Sequence, residues 1–237
     1  MLKKILIGSL LSTLFISANA DNLKVAAGAG YKKVVMKVIK EYEKSGKKID
    51  GFFGNMRQVS AQAKQTDIAL IIGDKNFLLK KSGLNIKEYT PIGEGKVVIA
   101  YPKGAKEIKS SNDLLKDEIK KIAMPQPKKA IYGIAGKEFL INEKLYDKVK
   151  EKLYIVATVP QSLTYVIAGE VDASILNLTA ALENKERIGG YFEVNPNSYS
   201  KIEIIAAKTN ECNKECKEFL EFLKTPKSKE IFKSYGL

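Results

Sequence analysis

The sequence predicts an α/β protein with largely parallel sheets, on two observations. Short apolar runs alternate with stretches in which apolar residues recur every three or four positions, which are the patterns of strands and of amphipathic helices. The run 66–72 is almost continuously apolar, as expected for a strand that is buried on both faces. No linker, repeat or low-complexity block divides the 237 residues, which are enough for one large domain or for two lobes joined by crossings of the chain.

The first strand and helix set the pattern for the rest of the chain. Residues 23–27 are predicted to form a strand that leads into Gly28 and Gly30, where the backbone can adopt conformations that a side chain would forbid. The apolar residues of the helix that follows share one face: Val34, Val35, Val38, Ile39 and Tyr42. The unpaired N–H groups at the start of this helix could bind an anion, although a tight turn that binds nothing fits the same residues.

The other strands follow from apolar runs that end at glycine, proline or a polar residue. We predict them at 48–53, 66–72, 96–101, 121–124, 153–157, 171–176 and 201–207. The other helices follow from amphipathic stretches, some with a capping residue and one with Pro160 in its first turn. We predict them at 55–64, 73–79, 131–141, 146–152, 160–169, 179–183, 214–223 and 227–235. A further helix should follow the capping residues 110–113.

The first 20 residues have the three parts of a cleavable secretory signal. Lys3 and Lys4 form a basic segment, residues 5–16 are apolar, and Ala18-Asn19-Ala20 supplies the small residues that signal peptidase reads. Because no cysteine lies near this point, no lipid anchor is expected. The mature protein should begin at Asp21 and be soluble outside the cytoplasm.

Charge and composition restrict the possible functions. The formal net charge is +13, but the basic residues are mostly lysines spread along the helices, without an arginine-rich run or an aromatic stripe. A general attraction for small anions therefore fits better than nucleic-acid binding. The chain contains no histidine, which excludes a Ser-His-Asp triad, a Cys-His pair and a His-ligated zinc site. We expect no catalytic residues, no cofactor and no bound metal cation.

The only two cysteines are Cys212 and Cys216. Asn213 can cap a helix that carries Cys216 in its first turn, which would bring the two sulfurs close together. A local disulfide and two free thiols both fit this spacing. A catalytic role is not expected, and the chain lacks the further soft ligands that a metal site would need.

Five segments carry a resemblance that covers residues 23–237. They are Val25-Ala26-Ala27 with the helix ending in Glu41-Tyr42-Glu43-Lys44, Phe53-Gly54 with Thr66-Asp67-Ile68-Ala69-Leu70, Gly133 with Gly136-Lys137-Glu138-Phe139-Leu140, the segment 168–175, and the C-terminal segment 222–237. In this order, behind a signal peptide, they resemble the periplasmic substrate-binding proteins of ABC importers, most closely the molybdate-binding family.

The resemblance implies a two-lobed periplasmic binding protein of type II, with mixed, mostly parallel sheets, helices on both faces and a ligand cleft between the lobes. The first lobe would comprise residues 21–100 and 203–237, and the second residues 101–202, with crossing strands near 96–103 and 199–207. It also implies a monomer that captures a small oxyanion, such as molybdate or tungstate, and delivers it to a membrane permease driven by an ATPase.

The resemblance indicates where the ligand binds, but the side chains at the family's ligand-binding positions are different in this chain. The family binds its dianion through two hydroxyl groups, backbone amides and a tyrosine, and the hydroxyl and tyrosine positions correspond here to Ala29, Met56 and Asn177. The backbone positions fall near Tyr132-Gly133 and Val159-Pro160, and new donors are available in the same regions. The candidate ligand-binding residues are Ala29, Gly30, Tyr31, Asn55, Met56, Arg57, Tyr132, Gly133, Val159 and Asn177.

Each of these residues has a simpler interpretation. Arg57 offers a guanidinium fork for an oxyanion, but it could be a solvated residue at a helix start. Asn177 could cap a helix, while Tyr132 and Met56 could be packing residues.

Three other functions remain open. The protein could bind a different small anion or an organic acid. It could also be a secreted enzyme that uses Asp67 or Asp172 in acid–base chemistry, or it could hold a metal in a site of Asp, Asn and Tyr.

Overall fold

Two five-stranded sheets form the framework of the protein. The structure is a computed structural model and describes residues 22–237. The predicted signal peptide and its cleavage site lie outside the described residues. The strands are β1 (Leu23–Gly28), β2 (Ile49–Gly54), β3 (Leu70–Asp74), β4 (Tyr89–Gly95), β5 (Val97–Tyr101), β6 (Ile122–Pro125), β7 (Leu153–Val156), β8 (Ala173–Asn177), β9 (Gly190–Glu193) and β10 (Ile202–Lys208).

The helices pack against both sheets. They are α1 (Lys32–Glu43), α2 (Met56–Ala63), α3 (Lys75–Lys80), α4 (Ile131–Asn142), α5 (Tyr146–Val149), α6 (Val159–Ile167), α7 (Leu178–Glu183), α8 (Lys214–Leu223) and α9 (Pro226–Ser234). Short 3₁₀ turns add Ala29–Tyr31, Ser111–Leu115, Lys150–Lys152 and Pro196–Ser198. The helix expected after residues 110–113 is therefore one of these short turns.

The two sheets repeat one topology. The strand order is β2-β1-β3-β10-β4 in the first sheet and β7-β6-β8-β5-β9 in the second. In each sheet three neighbouring strands are parallel, and the last two strands in the order are joined by antiparallel pairing. The two-lobed α/β fold with mixed sheets is confirmed.

The chain crosses between the sheets twice. It passes from β4 to β5 at Lys96 and returns from β9 to β10 through residues 194–201. Strand β5 pairs with β8 and β9, so residues 97–100 lie in the second sheet rather than with the first lobe, where the predicted boundary had placed them. We use "first lobe" for residues 22–95 and 202–237, and "second lobe" for residues 97–193.

Two strands were not predicted from the sequence, and both lie at an edge of a sheet. Strand β4 contains a proline and two glycines, and β9 is a short run of half-buried and exposed residues. An edge strand has one neighbour and one solvated side, so its sequence needs no continuous apolar run. The third predicted strand, by contrast, begins later than expected, at Leu70.

Helix α1 links the first sheet to the C-terminal helices. Its predicted apolar face is the buried one, and Tyr42 on that face packs against Phe219 and Phe222, with ring centroids 4.9 and 5.2 Å away. At the start of α8, the side chain of Asn213 accepts a hydrogen bond from the Cys216 amide at 3.0 Å. Cys212 and Cys216 form a disulfide beside this cap. Within the described residues, no helix combines the length and the apolar character needed to cross a bilayer.

Candidate ligand site between the lobes

Four chain segments, each at the start of a helix, surround a cavity of about 60 Å³ between the lobes. Two come from the first lobe, residues 28–31 and 54–56, and two from the second, residues 129–132 and 157–160. The side chains that line the cavity include no acidic residue, and Lys129 is the one basic residue among them in the described part of the chain. The other lining residues are small or apolar, apart from Asn55 and three residues that carry a hydroxyl.

The backbone supplies further polar groups to this cavity. The first amides of a helix have no acceptor within the helix, and its N-terminus carries a partial positive charge. Neither α4 nor the 3₁₀ turn before α1 has a side-chain cap. The caps of α2 and α6, Asn55 and Thr158, accept from Gln58 and Gln161. The amides earlier in each first turn therefore remain available to an anion in the cavity, although in α6 only Val159 supplies one, because Pro160 has no N–H.

A pair of tyrosines joins the two lobes at the cavity wall. The hydroxyl oxygens of Tyr31 and Tyr132 are 2.6 Å apart, and the rings meet edge to face with centroids 6.3 Å apart. Burial raises the pKa of both phenols above the ordinary value, so both keep their protons at neutral pH. Their mutual hydrogen bond uses only one of the two protons. The other proton can be donated to a ligand.

Asn177 lies behind the cavity and holds the lobes together. Its Oδ1 accepts from the Ala180 amide at 3.3 Å and so caps α7, while its Nδ2 donates to the Gly30 carbonyl of the other lobe at 3.2 Å. A Cβ added to Gly30 would lie 3.4 Å from that Nδ2 and 3.6 Å from Val159 Cβ. These are ordinary van der Waals distances, so a small side chain at this position would fit without separating the lobes.

Lys33 and Glu183 form a second contact across the lobes. Lys33 Nζ donates to the Glu183 carbonyl and to Asn184 Oδ1, both at 3.3 Å. Burial raises the pKa of the Glu183 carboxyl to about 7, although Lys33 and the Val34 amide act in the opposite direction. Glu183 Oε1 is buried and has no hydrogen-bond partner among the described residues. Together with the tyrosines and Asn177, these contacts show that the cleft is closed.

Most of the sequence-predicted site residues meet at this cavity. The ones that line it are Ala29, Gly30, Tyr31, Asn55, Met56, Tyr132 and Val159. Gly133 and Asn177 lie nearby but outside the lining. The Gly133 amide donates to the Ala130 carbonyl at 3.0 Å, and a Cβ there would collide with the backbone of Pro125 and Gln126, so this glycine serves helix packing. Arg57 also lies outside the lining and borders a neighbouring cavity instead.

The two aspartates considered for acid–base chemistry lie elsewhere. Asp67 forms an ion pair with Lys24 at 2.7 Å, and Asp172 accepts from the amides of Lys120 and Lys121 at 2.8 Å each. Neither residue is among those that line the cavity. Both have structural contacts that account for their carboxylates.

Two residues with polar side chains line the cavity but were not among the candidates, Thr158 and Lys129. Thr158 is the N-cap of α6, and Pro160 two residues later is a signal for a cap at this position. Lys129 precedes α4 in a Lys-Lys pair, a pattern that could equally mark a solvated turn.

The comparisons with known proteins agree with this geometry. The model of the bacterial extracellular solute-binding protein family matches residues 23–237. The chain belongs to this family. It is 29% identical over 224 residues to YvgL of Bacillus subtilis, described as an ABC transporter substrate-binding lipoprotein, covering 90% of this chain and 85% of that protein. It is 24% identical to the molybdate-binding protein ModA of Azotobacter vinelandii, covering 93% of this chain and 91% of ModA.

A solved structure shares the fold of this solute-binding protein. The periplasmic molybdate-binding protein of Azotobacter vinelandii superposes with a TM-score of 0.80 at 21% identity, covering 91% of this chain and 98% of that one. The predicted resemblance to the molybdate-binding family is therefore confirmed. The relatives of this chain in the solute-binding protein family are substrate-binding components of ABC transporters, not enzymes.

Proposed function

We propose that the protein binds a small tetrahedral oxyanion between its lobes, with molybdate and tungstate as the leading candidates. The mature monomer, beginning at Asp21 in the periplasm, would deliver the anion to the permease of an ABC importer. The observation that carries this proposal is the convergence of four helix starts on one cavity without an acidic side chain. A cavity of about 60 Å³ has room for a small anion, whereas pockets for drug-sized ligands are several times larger.

The divergent hydroxyl positions have replacements in this cavity. Ala29 and Met56 cannot donate a hydrogen bond through their side chains, and losing two such donors to a charged ligand would cost about 1.5–3 kcal/mol each. Tyr31, Tyr132 and Thr158 are among the residues that line the same cavity, and each carries a hydroxyl. We propose that they take over as donors.

A panel of anions tests the proposal. Molybdate, tungstate, sulfate and phosphate should be titrated calorimetrically and in thermal unfolding, with perchlorate as a tetrahedral control that carries a single charge. A dianion present at 100 times its Kd should stabilise the protein by about 2.7 kcal/mol and raise Tm by about 5–10 °C, whereas perchlorate should have a smaller effect. The proposal fails if none of the four dianions produces heat or a shift in Tm.

Ligand affinity should decrease as pH rises from 6 to 8. In the closed form the Glu183 carboxyl has a pKa of about 7, and we expect an ordinary value near 4.5 when the lobes open. Closure of the lobes therefore takes up a proton. The stabilisation of the closed form by this proton is fully present below pH 4.5 and is lost as the pH rises through about 7. Since the side chain is partly exposed, screening reduces the effect, and we expect a three- to tenfold loss.

Calorimetric titration with tungstate or sulfate at several pH values measures this effect, because neither anion changes its charge between pH 6 and 8. Glu183→Gln keeps the shape of the side chain and removes its titration, so its affinity should be nearly constant over the range. An unchanged pH profile in Glu183→Gln would show that another group is responsible.

A further inference from the structure

A second cavity, of about 150 Å³, adjoins the central one between the lobes. Arg57 at the start of α2 and the turn around α3 border it from the first lobe, and the segment that leads into α4 borders it from the second. Lys129 and Ile131 line both cavities. A ligand group that leaves the central cavity on this side would therefore enter the second cavity directly.

The second cavity has an excess of positive charge. Its basic residues are Arg57, Lys81, Lys128, Lys129 and Lys201, and its acidic residues are Asp74 and Glu138. Both acidic residues already accept hydrogen bonds from backbone amides. Glu138 accepts from Ser200 at 2.8 Å, and Asp74 accepts from Phe77 at 2.6 Å. The two carboxylates are thus held at the wall by the protein itself.

Three of the cations have no counter-ion in the part of the chain that the structure describes. Lys201 forms an ion pair with Glu94 at 3.2 Å, and Lys81 lies near the Asp74 carboxylate. Arg57, Lys128 and Lys129 form no ion pair within residues 22–237. Three unpaired cations around one cavity give it a positive potential that a ligand can neutralise.

The backbones that carry these cations are fixed. Arg57 is the second residue of α2, and the preceding Met56 is buried against Gly28 and Gly73. Lys128 and Lys129 lie on a turn in which their amides donate to the side chain and the carbonyl of Gln126, both at 3.2 Å. The charged groups therefore begin from defined positions on opposite lobes, which lowers the entropic cost of binding an anion between them.

We propose that the second cavity is a carboxylate subsite, so that the cleft accepts organic anions with a tetrahedral phosphate or phosphonate head and a carboxylate tail. This inference rests on the proposed function, because the head would occupy the central oxyanion cavity. The tail would reach Arg57, whose guanidinium can donate two parallel hydrogen bonds to a carboxylate, with Lys128 and Lys129 adding charge. The structure thus assigns Arg57 to the tail of the ligand rather than to its head.

Two phosphonates of equal chain length test the subsite. 3-Phosphonopropionate has a carboxylate tail and propylphosphonate has a methyl group, while both carry the same head. Calorimetric titration of the wild-type protein should show at least tenfold tighter binding of 3-phosphonopropionate. This advantage should decrease at high salt, since it comes from charges near the protein surface.

Three variants, each of which removes one positive charge, test which residues bind the carboxylate tail. Arg57→Gln and Lys128→Gln should each reduce the advantage of 3-phosphonopropionate at least threefold and change the affinity for molybdate by less than twofold. Lys103→Gln removes one charge from an exposed residue that borders neither cavity, and it should leave both affinities unchanged.

Three other results would contradict the subsite, the proposed function or both. Equal binding of the two phosphonates by the wild type removes the subsite, and the oxyanion function stands if molybdate still binds. An equal loss of molybdate and 3-phosphonopropionate affinity in Arg57→Gln places this residue at the head and also removes the subsite. If neither phosphonate and no oxyanion binds, the proposed function fails and the subsite fails with it.

Discussion

The variant Ala130→Asp should bind oxyanions at least a hundredfold more weakly than the wild type and yet unfold at a higher temperature. Ala130 is the N-cap of α4, has the extended backbone of a capping residue and lines the central cavity. An aspartate here would accept hydrogen bonds from the first-turn amides and would complement the helix dipole. The same carboxylate would repel a second anion about 4 Å away by roughly 4 kcal/mol at an effective dielectric constant of 20.

The gain in stability separates this effect from damage to the fold. A capping residue in place of alanine contributes about 1 kcal/mol, which corresponds to an increase in Tm of about 2–4 °C for a chain of this size. Ala130→Asn is the matched control, because it caps the helix without a charge. It should show a similar Tm and a smaller loss of affinity. If both variants bind oxyanions like the wild type, the ligand does not use the start of α4.

The framework of the fold could be predicted because its signals are local. The buried face of α1 follows from a period of 3.6 residues over residues 34–42, and the buried strand β3 follows from an apolar run. The transfer of β5 to the second sheet could not be predicted. Its hydrogen-bond partners, β8 and β9, come more than 70 residues later, and its own apolar sequence would suit either sheet.

The junctions that form the site were predictable for the same reason, since each ends a strand or loop and begins a helix. Within a junction, the local sequence pattern did not determine which side chain faces the central cavity. Met56 and Arg57 are neighbours in α2, and adjacent helical residues point about 100° apart. Met56 lines the central cavity, whereas Arg57 borders the second cavity. The spacing along the sequence could not decide which side chain faces which cavity.

The contact between Tyr31 and Tyr132 had no local signal at all. The two residues are 101 positions apart and lie on different lobes. Each was a candidate hydrogen-bond donor, but their pairing depends on how closely the lobes approach. Gly95 permits that approach, since a Cβ on Gly95 would collide with the Tyr132 hydroxyl. The pairing of the two tyrosines therefore depends on how the two lobes come together, which no local stretch of the sequence specifies.

Replacing both tyrosines by phenylalanine should reduce oxyanion affinity at least tenfold and leave the stability of the unliganded protein close to that of the wild type. Either single variant leaves one buried hydroxyl without its partner, which costs about 1–3 kcal/mol, whereas the double variant leaves no unpaired hydroxyl. The pair also supplies one proton that its mutual hydrogen bond does not use, and a hydrogen bond to a charged ligand contributes about 1.5–3 kcal/mol. The double variant loses this donor but keeps both rings.

A double-mutant cycle distinguishes this role from simple packing. Chemical denaturation and calorimetry with molybdate or tungstate should be measured for the wild type, Tyr31→Phe, Tyr132→Phe and the double variant. The losses of stability should be strongly non-additive, while the loss of affinity should remain in the double variant. Tyr42→Phe serves as a control, because its buried hydroxyl has no hydrogen-bond partner among the described residues and does not line the cavity. Wild-type affinity in the double variant would show that the pair joins the lobes without contacting the anion.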